Sequence, residues 1–192
     1  MTRTKAEFQR LIRAAIGEVK ADLIITGGKL INVYSGEIPE GFEIAVIGGR
    51  ICYLGPSAQH SCGEETEIID ASGLYVSPGF IDGHTHIGHY ARPFENLQSF
   101  LPHGTTAIVA SCDELATVFG FRGLKVFWEE VERHPVRVYT LVSMVARQDP
   151  LLCNTASFTQ AEMTEALADP SVLGMVEIVS WLRLLHCDDE LP

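Results

Sequence analysis

Two histidines one residue apart, His84 and His86, close the run Val76-Ser77-Pro78-Gly79-Phe80-Ile81-Asp82-Gly83-His84-Thr85-His86. The run is apolar and punctuated by proline and glycine, which predicts a strand. Side chains at i and i+2 of a strand point to one side, so the two imidazoles can face a single cation. A metal site is the chemistry this pattern offers, although the same pair also occurs on solvated surfaces. Metal centres use three or four ligands, so further donors must come from elsewhere. One candidate is Glu177, at the end of Leu173-Gly174-Met175-Val176-Glu177; the alternative is a solvated charge at a strand end, the usual fate of a lone glutamate.

Elements able to bring such distant residues together follow from the hydrophobic period after Pro78. Strand candidates at 80–84, 105–110, 137–141 and 172–176 alternate with helical segments. Asp113 is expected to cap a helix starting at Glu114. Thr159-Gln160-Ala161-Glu162 matches a capping box ahead of a helix to about Ala168, and His134-Pro135 ends the helix before the third strand. Four strand–helix units predict an α/β fold, the N-terminal half of a metal-dependent (β/α)8 barrel, whose strands deliver ligands at their carboxyl ends. A whole barrel takes about 250 residues, and only about 110 follow Gly79, so the chain reads as the N-terminal part of a longer enzyme.

Before Pro78 the texture differs. Phe8, Leu11, Ile12, Ala15, Ile16 and Val19 recur at helical spacing over residues 5–19, predicting an amphipathic helix that packs on a neighbouring domain or a second subunit. Short β-rich runs at 23–25, 29–33, 43–47 and 50–54, separated by Gly27-Gly28, Pro39-Glu40-Gly41 and Gly48-Gly49, predict a small antiparallel β domain. The expected organisation is a helix over 1–20, a partial β-sandwich over 21–78 and four β/α units over 79–192.

Composition limits the function classes. A 192-residue chain with 46% hydrophobic and 20% charged residues can bury a core. A net charge of −11 argues against nucleic acid as a partner, because phosphate-binding proteins carry a basic surface. No apolar run approaches the roughly 18 residues that span a bilayer, and the N-terminus lacks a signal-peptide core, which predicts a cytoplasmic protein. Five cysteines at 52, 62, 112, 153 and 187 form no C-x-x-C pair, so they read as reduced core residues rather than disulfides or a zinc ribbon.

The run PGFIDGHTH, then LPHGTTAIVASCDELATVFG, then VLGMVEIVSW resembles the amidohydrolase superfamily, and within it the adenine deaminase branch, from about Ala21 to Leu185. The first motif is shared across the superfamily; LPHGTT with the following ELA-x-V-x-G points to the branch. The resemblance implies hydrolytic deamination of a purine base by metal-activated water, with one or two divalent ions (Mn, Fe or Zn) and a homo-oligomeric enzyme. It implies His84, His86 and Glu177 as metal ligands, Glu177 bridging two ions. Two further histidines and a proton-shuttling aspartate fall outside this chain, so no catalytic acid or base is assigned within it. The β segment is then one part of a sandwich that far C-terminal strands complete. The cytidine-type zinc deaminase signature is absent, since the chain has no P-C-x-x-C.

Two departures put the substrate in question. The branch follows H-x-H with Ile-Glu-Ser-Ser, where this chain has Ile87-Gly88-His89-Tyr90; it carries Asp-Pro-His-Glu after the second strand, where this chain has Ser111-Cys112-Asp113-Glu114. Only Glu114 matches the latter. Asp82, His89 and Glu114 are therefore candidates for substrate contact or for supporting the ligands, with a structural bond for Asp82 and simple exposure for His89 as the alternatives. His103 is expected to be structural, His60 and His134 surface residues, and His186 a helix or loop residue. The rival readings are an amidohydrolase that cleaves an amide, such as an N-acetylglucosamine-6-phosphate deacetylase, and a truncated, non-catalytic remnant.

Overall fold

The computed structural model describes residues 4–143, 158–176 and 185–187. The chain divides into two units, Met1–Pro78 and Gly79–Pro192. The first opens with α1 (Lys5–Ala15), whose start is fixed by a capping box between Thr4 and Glu7. The helix stops four residues short of the expected 19, because Ile16 leaves helical geometry and Gly17 takes φ +82°, a left-handed stop that glycine accommodates. Its last carbonyls are met within the same unit: Ser61 Oγ donates to Ala14 O at 2.7 Å, and His60 Nε2 lies 2.9 Å from Ala15 O. Phe8, Ile12 and Ile16 remain exposed.

Six strands follow: β1 (Leu23–Thr26), β2 (Lys29–Leu30), β3 (Glu43–Ile47), β4 (Arg50–Gly55), β5 (Glu67–Asp70) and β6 (Tyr75–Val76). They form a four-stranded sheet in the order β4-β3-β1-β5 and a two-stranded sheet of β2 and β6. The expectation of a purely antiparallel domain is corrected here: β1 pairs parallel with β5, and β2 parallel with β6. The strand expected at 29–33 is only two residues long, since Asn32 Oδ1 accepts the Tyr34 and Ser35 N–H groups and turns the chain. Ala21, Ile24, Ala45 and Ala58 make the small core.

The second unit is a sheet of four parallel strands in the order β10-β9-β8-β7: β7 (Phe80–His86), β8 (Thr105–Ser111), β9 (Arg137–Val142) and β10 (Val172–Met175). Helices α2 (Pro93–Leu97), α3 (Asp113–Phe119), α4 (Phe121–Glu132) and α5 (Gln160–Leu167) connect them. No closed barrel is present among the described residues. The core runs from Ile87 and Leu97 through Ile108, Ala110 and Cys112 to Leu124, Phe127, Val131, Val136 and Val142. α4 buries Phe121, Leu124, Phe127 and Val131, the i, i+3, i+6, i+10 stripe of a helix packed on a sheet. Trp128 Nε1 donates to the buried Thr140 Oγ1 at 3.2 Å and ties α4 to β9. α5 carries the expected capping box between Thr159 and Glu162. Asp113, expected to cap α3, is instead the first residue inside it, and its carboxylate accepts from Ser111 Oγ at 2.5 Å.

Candidate metal centre

β7 does not pair evenly with β8. Asp82 lies opposite Ile108 and Thr85 opposite Ala110, so Gly83 and His84 together face one residue of the neighbouring strand. Such a bulge bends a strand and re-aims its side chains. Asp82 Oδ1 accepts the His84 N–H at 3.1 Å and so gives that amide a partner inside the irregularity. The bulge also removes the simple parity that would put Asp82 on the same side as both histidines. The His84 and His86 rings lie edge to face, with centroids 5.1 Å apart and planes at 83°.

Register brings a second set of residues to His86. His86 is the partner of Ser111, so the residues just beyond the two strand ends, 87–90 and 112–114, lie side by side. His86 Nδ1 is 3.0 Å from Glu114 Oε1, with hydrogen-bond geometry, and 3.0 Å from Asp113 Oδ1. His89 Nδ1 is 3.1 Å from the same Glu114 Oε1. The His86 and His89 rings are tilted at 35° with centroids 5.0 Å apart. His86, His89 and Glu114 each offer a ligand atom, and these atoms lie within 4.8 Å of one another.

Glu114 is the most enclosed member. Its side chain is 10% exposed, and its Oε2 has no hydrogen-bond partner among the described residues. Leaving such an oxygen unpaired costs on the order of 1–3 kcal/mol or more. Gly88 makes the room: a methyl group there would come to 3.1 Å of Glu114 Oε2. Asn96 Nδ2 donates to Ile87 O at 2.5 Å and anchors the start of the loop that carries His89.

Of the residues singled out in the sequence, His84, His86, His89 and Glu114 come together at the carboxyl ends of β7 and β8, Asp82 lies lower on β7 against the His84 amide, and Glu177 lies outside the described residues. Asp113 was read only as a cap, and its place beside His86 was missed. The available signal was its position two residues past the end of a strand parallel to the one bearing the histidines. Cys112, between the two strand-end groups, is buried, and burial pushes its thiol up to about 12. It donates to Leu141 O at 3.5 Å and stays a protonated core residue rather than a thiolate ligand. Outside this cluster, His103 Nδ1 meets Ser99 O at 2.8 Å and His134 Nδ1 accepts the Val136 N–H at 3.1 Å. His60 is exposed, and His186 lies in an exposed turn.

No family model matches the chain. Over 184 residues, 95% of its length, it is 39% identical to adenine deaminase 3 of Rhizobium meliloti (strain 1021) and 38% identical to the adenine deaminase of Ruegeria sp. (strain TM1040). The chain spans about 31% of the length of each of these relatives. Among solved structures it is similar to a β-aspartyl dipeptidase from Fervidobacterium islandicum AW-1, with a TM-score of 0.56 and 22% identity over 81% of this chain and 40% of that one. It is also similar to an N-acyl-D-glutamate deacylase from Bordetella bronchiseptica, solved with zinc and a phosphonate inhibitor (TM-score 0.51, 25% identity, 76% of this chain and 34% of that one). A D-aminoacylase that defines a subset of amidohydrolases gives a TM-score of 0.51 at 23% identity, over 64% of this chain and 29% of that one. Along 95% of its length the chain is thus similar to part of the adenine deaminases, and its fold is like that of solved amidohydrolases.

Proposed function

We propose that this chain is the N-terminal part of a metal-dependent hydrolase that converts adenine and water to hypoxanthine and ammonia. The observation that carries the reading is the 39% identity to an adenine deaminase along 95% of the chain, with His84 and His86 side by side at a strand end. In this reading β7 to β10 are the first four strands of a (β/α)8 barrel, residues 21–78 are part of a β-sandwich, and the enzyme is a cytoplasmic homo-oligomer of purine metabolism.

The donor set fits a divalent ion of the Mn, Fe or Zn kind, for which imidazole and carboxylate are suitable ligands. His84, His86 and Glu177 would hold it. When bound, such an ion would lower the pKa of water toward about 7 and so supply a nucleophile at neutral pH. This chain's own residues prepare the site. With its proton on Nδ1, His86 would donate to Glu114 Oε1, which would fix the ring and leave Nε2 as the coordinating atom, the usual device for a ligating histidine. Asp82 holds the backbone of His84 in the bulge.

A second reading, hydrolysis of an amide, draws on the altered residues around the site, Gly88-His89-Tyr90 and Ser111-Cys112-Asp113, together with the similarity to the N-acyl-D-glutamate deacylase. The test is product analysis on the protein encoded by the complete reading frame. Ammonia released from adenine supports deamination; acetate released from an acetamido sugar supports the alternative. His84→Ala and Glu177→Gln are expected to lower metal content and turnover together. A Glu177→Gln variant with the parent's metal stoichiometry and chelator-dependent melting shift removes Glu177 from the ligand set. The 192-residue chain alone is expected to show no turnover.

A further inference from the structure

The cluster of His86, His89 and Glu114 is more than a support for the H-x-H pair. Two imidazole nitrogens converge on one carboxylate oxygen, at 3.0 and 3.1 Å. A pure hydrogen-bond arrangement would require both rings to carry their proton on Nδ1, and it would still leave Glu114 Oε2 buried without a partner. Ligands about 2.0–2.2 Å from a tetrahedral ion lie about 3.3–3.6 Å from one another, so the two nitrogen–oxygen separations are within a few tenths of an ångström of a coordinated pair, and all three donors lie within 4.8 Å of one another. Charge points the same way. Asp113 and Glu114 are consecutive carboxylates, both 3.0 Å from His86 Nδ1, and a divalent cation balances the pair.

We propose that His86 Nδ1, His89 Nδ1 and the Glu114 carboxylate form a binding site for a divalent d-block ion such as zinc, distinct from a site on His84 and the Nε2 of His86. Two imidazoles select this class over magnesium or calcium, which take oxygen ligands. His89 is half exposed, so solvent reaches its side of the cluster. The site does not depend on the deaminase reading, because none of its donors lies outside the described residues and His84 is not among them. It does share His86 with that reading. A neutral imidazole has one lone pair for coordination, on Nδ1 or on Nε2 but not both. An ion held through Nδ1 with His89 therefore excludes one held through Nε2 with His84 on the same neutral ring, and the two positions compete.

Cobalt(II), whose visible absorption reports coordination, is the probe, titrated into the 192-residue chain with stoichiometry from equilibrium dialysis and folding checked by far-UV circular dichroism. The chain is expected to bind one ion, and His89→Ser and Glu114→Gln to weaken that binding at least about ten-fold, the scale on which even outer-shell changes act at metal sites. His103→Ala is expected to leave the affinity within about two-fold, since that ring lies outside the cluster and meets Ser99 O. Should Glu114→Gln fail to fold, His89→Ser, in an exposed loop, decides alone. The proposal is overturned if the parent chain binds no cobalt, if His89→Ser keeps the parent affinity, or if His103→Ala loses binding equally. Loss with His84→Ala alone would instead place the ion on the H-x-H pair and leave the deaminase reading intact.

Discussion

Cys112 sits directly before the two strand-end carboxylates yet takes no part in their chemistry, and the reason is burial. Desolvation, with a smaller contribution from Asp113, raises its pKa from 9.0 to about 12. Alkylation by iodoacetamide at pH 8 is expected to modify the exposed Cys187 and spare Cys112, as peptide mass mapping would show; equal labelling of both would contradict the buried placement. The unfolded chain releases the Cys112 proton first, near pH 9, so the stability gained by burying the neutral thiol is full below that pH. It is lost as pH climbs from there toward about 12. The neighbouring residues show how far sequence reaches at this scale. His84 and His86 were legible as a pair because the period of a strand is local. The convergence of His89 and Glu114 was not, because it depends on the alignment of His86 with Ser111 across two strands.

At the scale of elements, what the sequence made visible was again what is decided locally. The capping box at Thr159 and Glu162 is a pattern of four residues, and it stands as read. The bulge at Gly83-His84 is a mismatch between two strands 25 residues apart and leaves no mark in either one alone. The same holds for the parallel return of β5 onto β1, which made the first unit's sheet mixed rather than antiparallel. Between α3 and α4 the chain turns at Gly120, φ +61°, and Gly123 lets the second helix approach the first so closely that a Cβ would collide with the backbone carbonyl of Leu115. A backbone atom cannot swing aside as a side chain can. Gly123→Ala is therefore expected to cost about 1–3 kcal/mol, the range for overpacking a close contact, measured as a shift in the urea midpoint. A change below about 0.5 kcal/mol, typical of uncritical surface sites, would mean that the two helices are not in this contact.

For the whole molecule, the sheet of the second unit has two ends: β7 and β10 each pair with one strand only among the described residues. Apolar side chains lie along both, with Ile81 70% and Leu173 58% exposed. Open strand edges bearing apolar residues recruit further strands, so the isolated 192-residue chain is expected to self-associate with rising concentration. Sedimentation velocity reads this directly, and a single monomeric species over a hundred-fold concentration range would rule it out. Strand order carries a different consequence. In β7-β8-β9-β10 each strand lies beside the one synthesised immediately before it. A chain emerging from the ribosome at about 5–20 residues per second can therefore lay each new strand on a partner already in place. The two halves of the His86, His89 and Glu114 cluster come from the first two of these strands and the turns that follow them, so both halves leave the ribosome before β9 and β10 do.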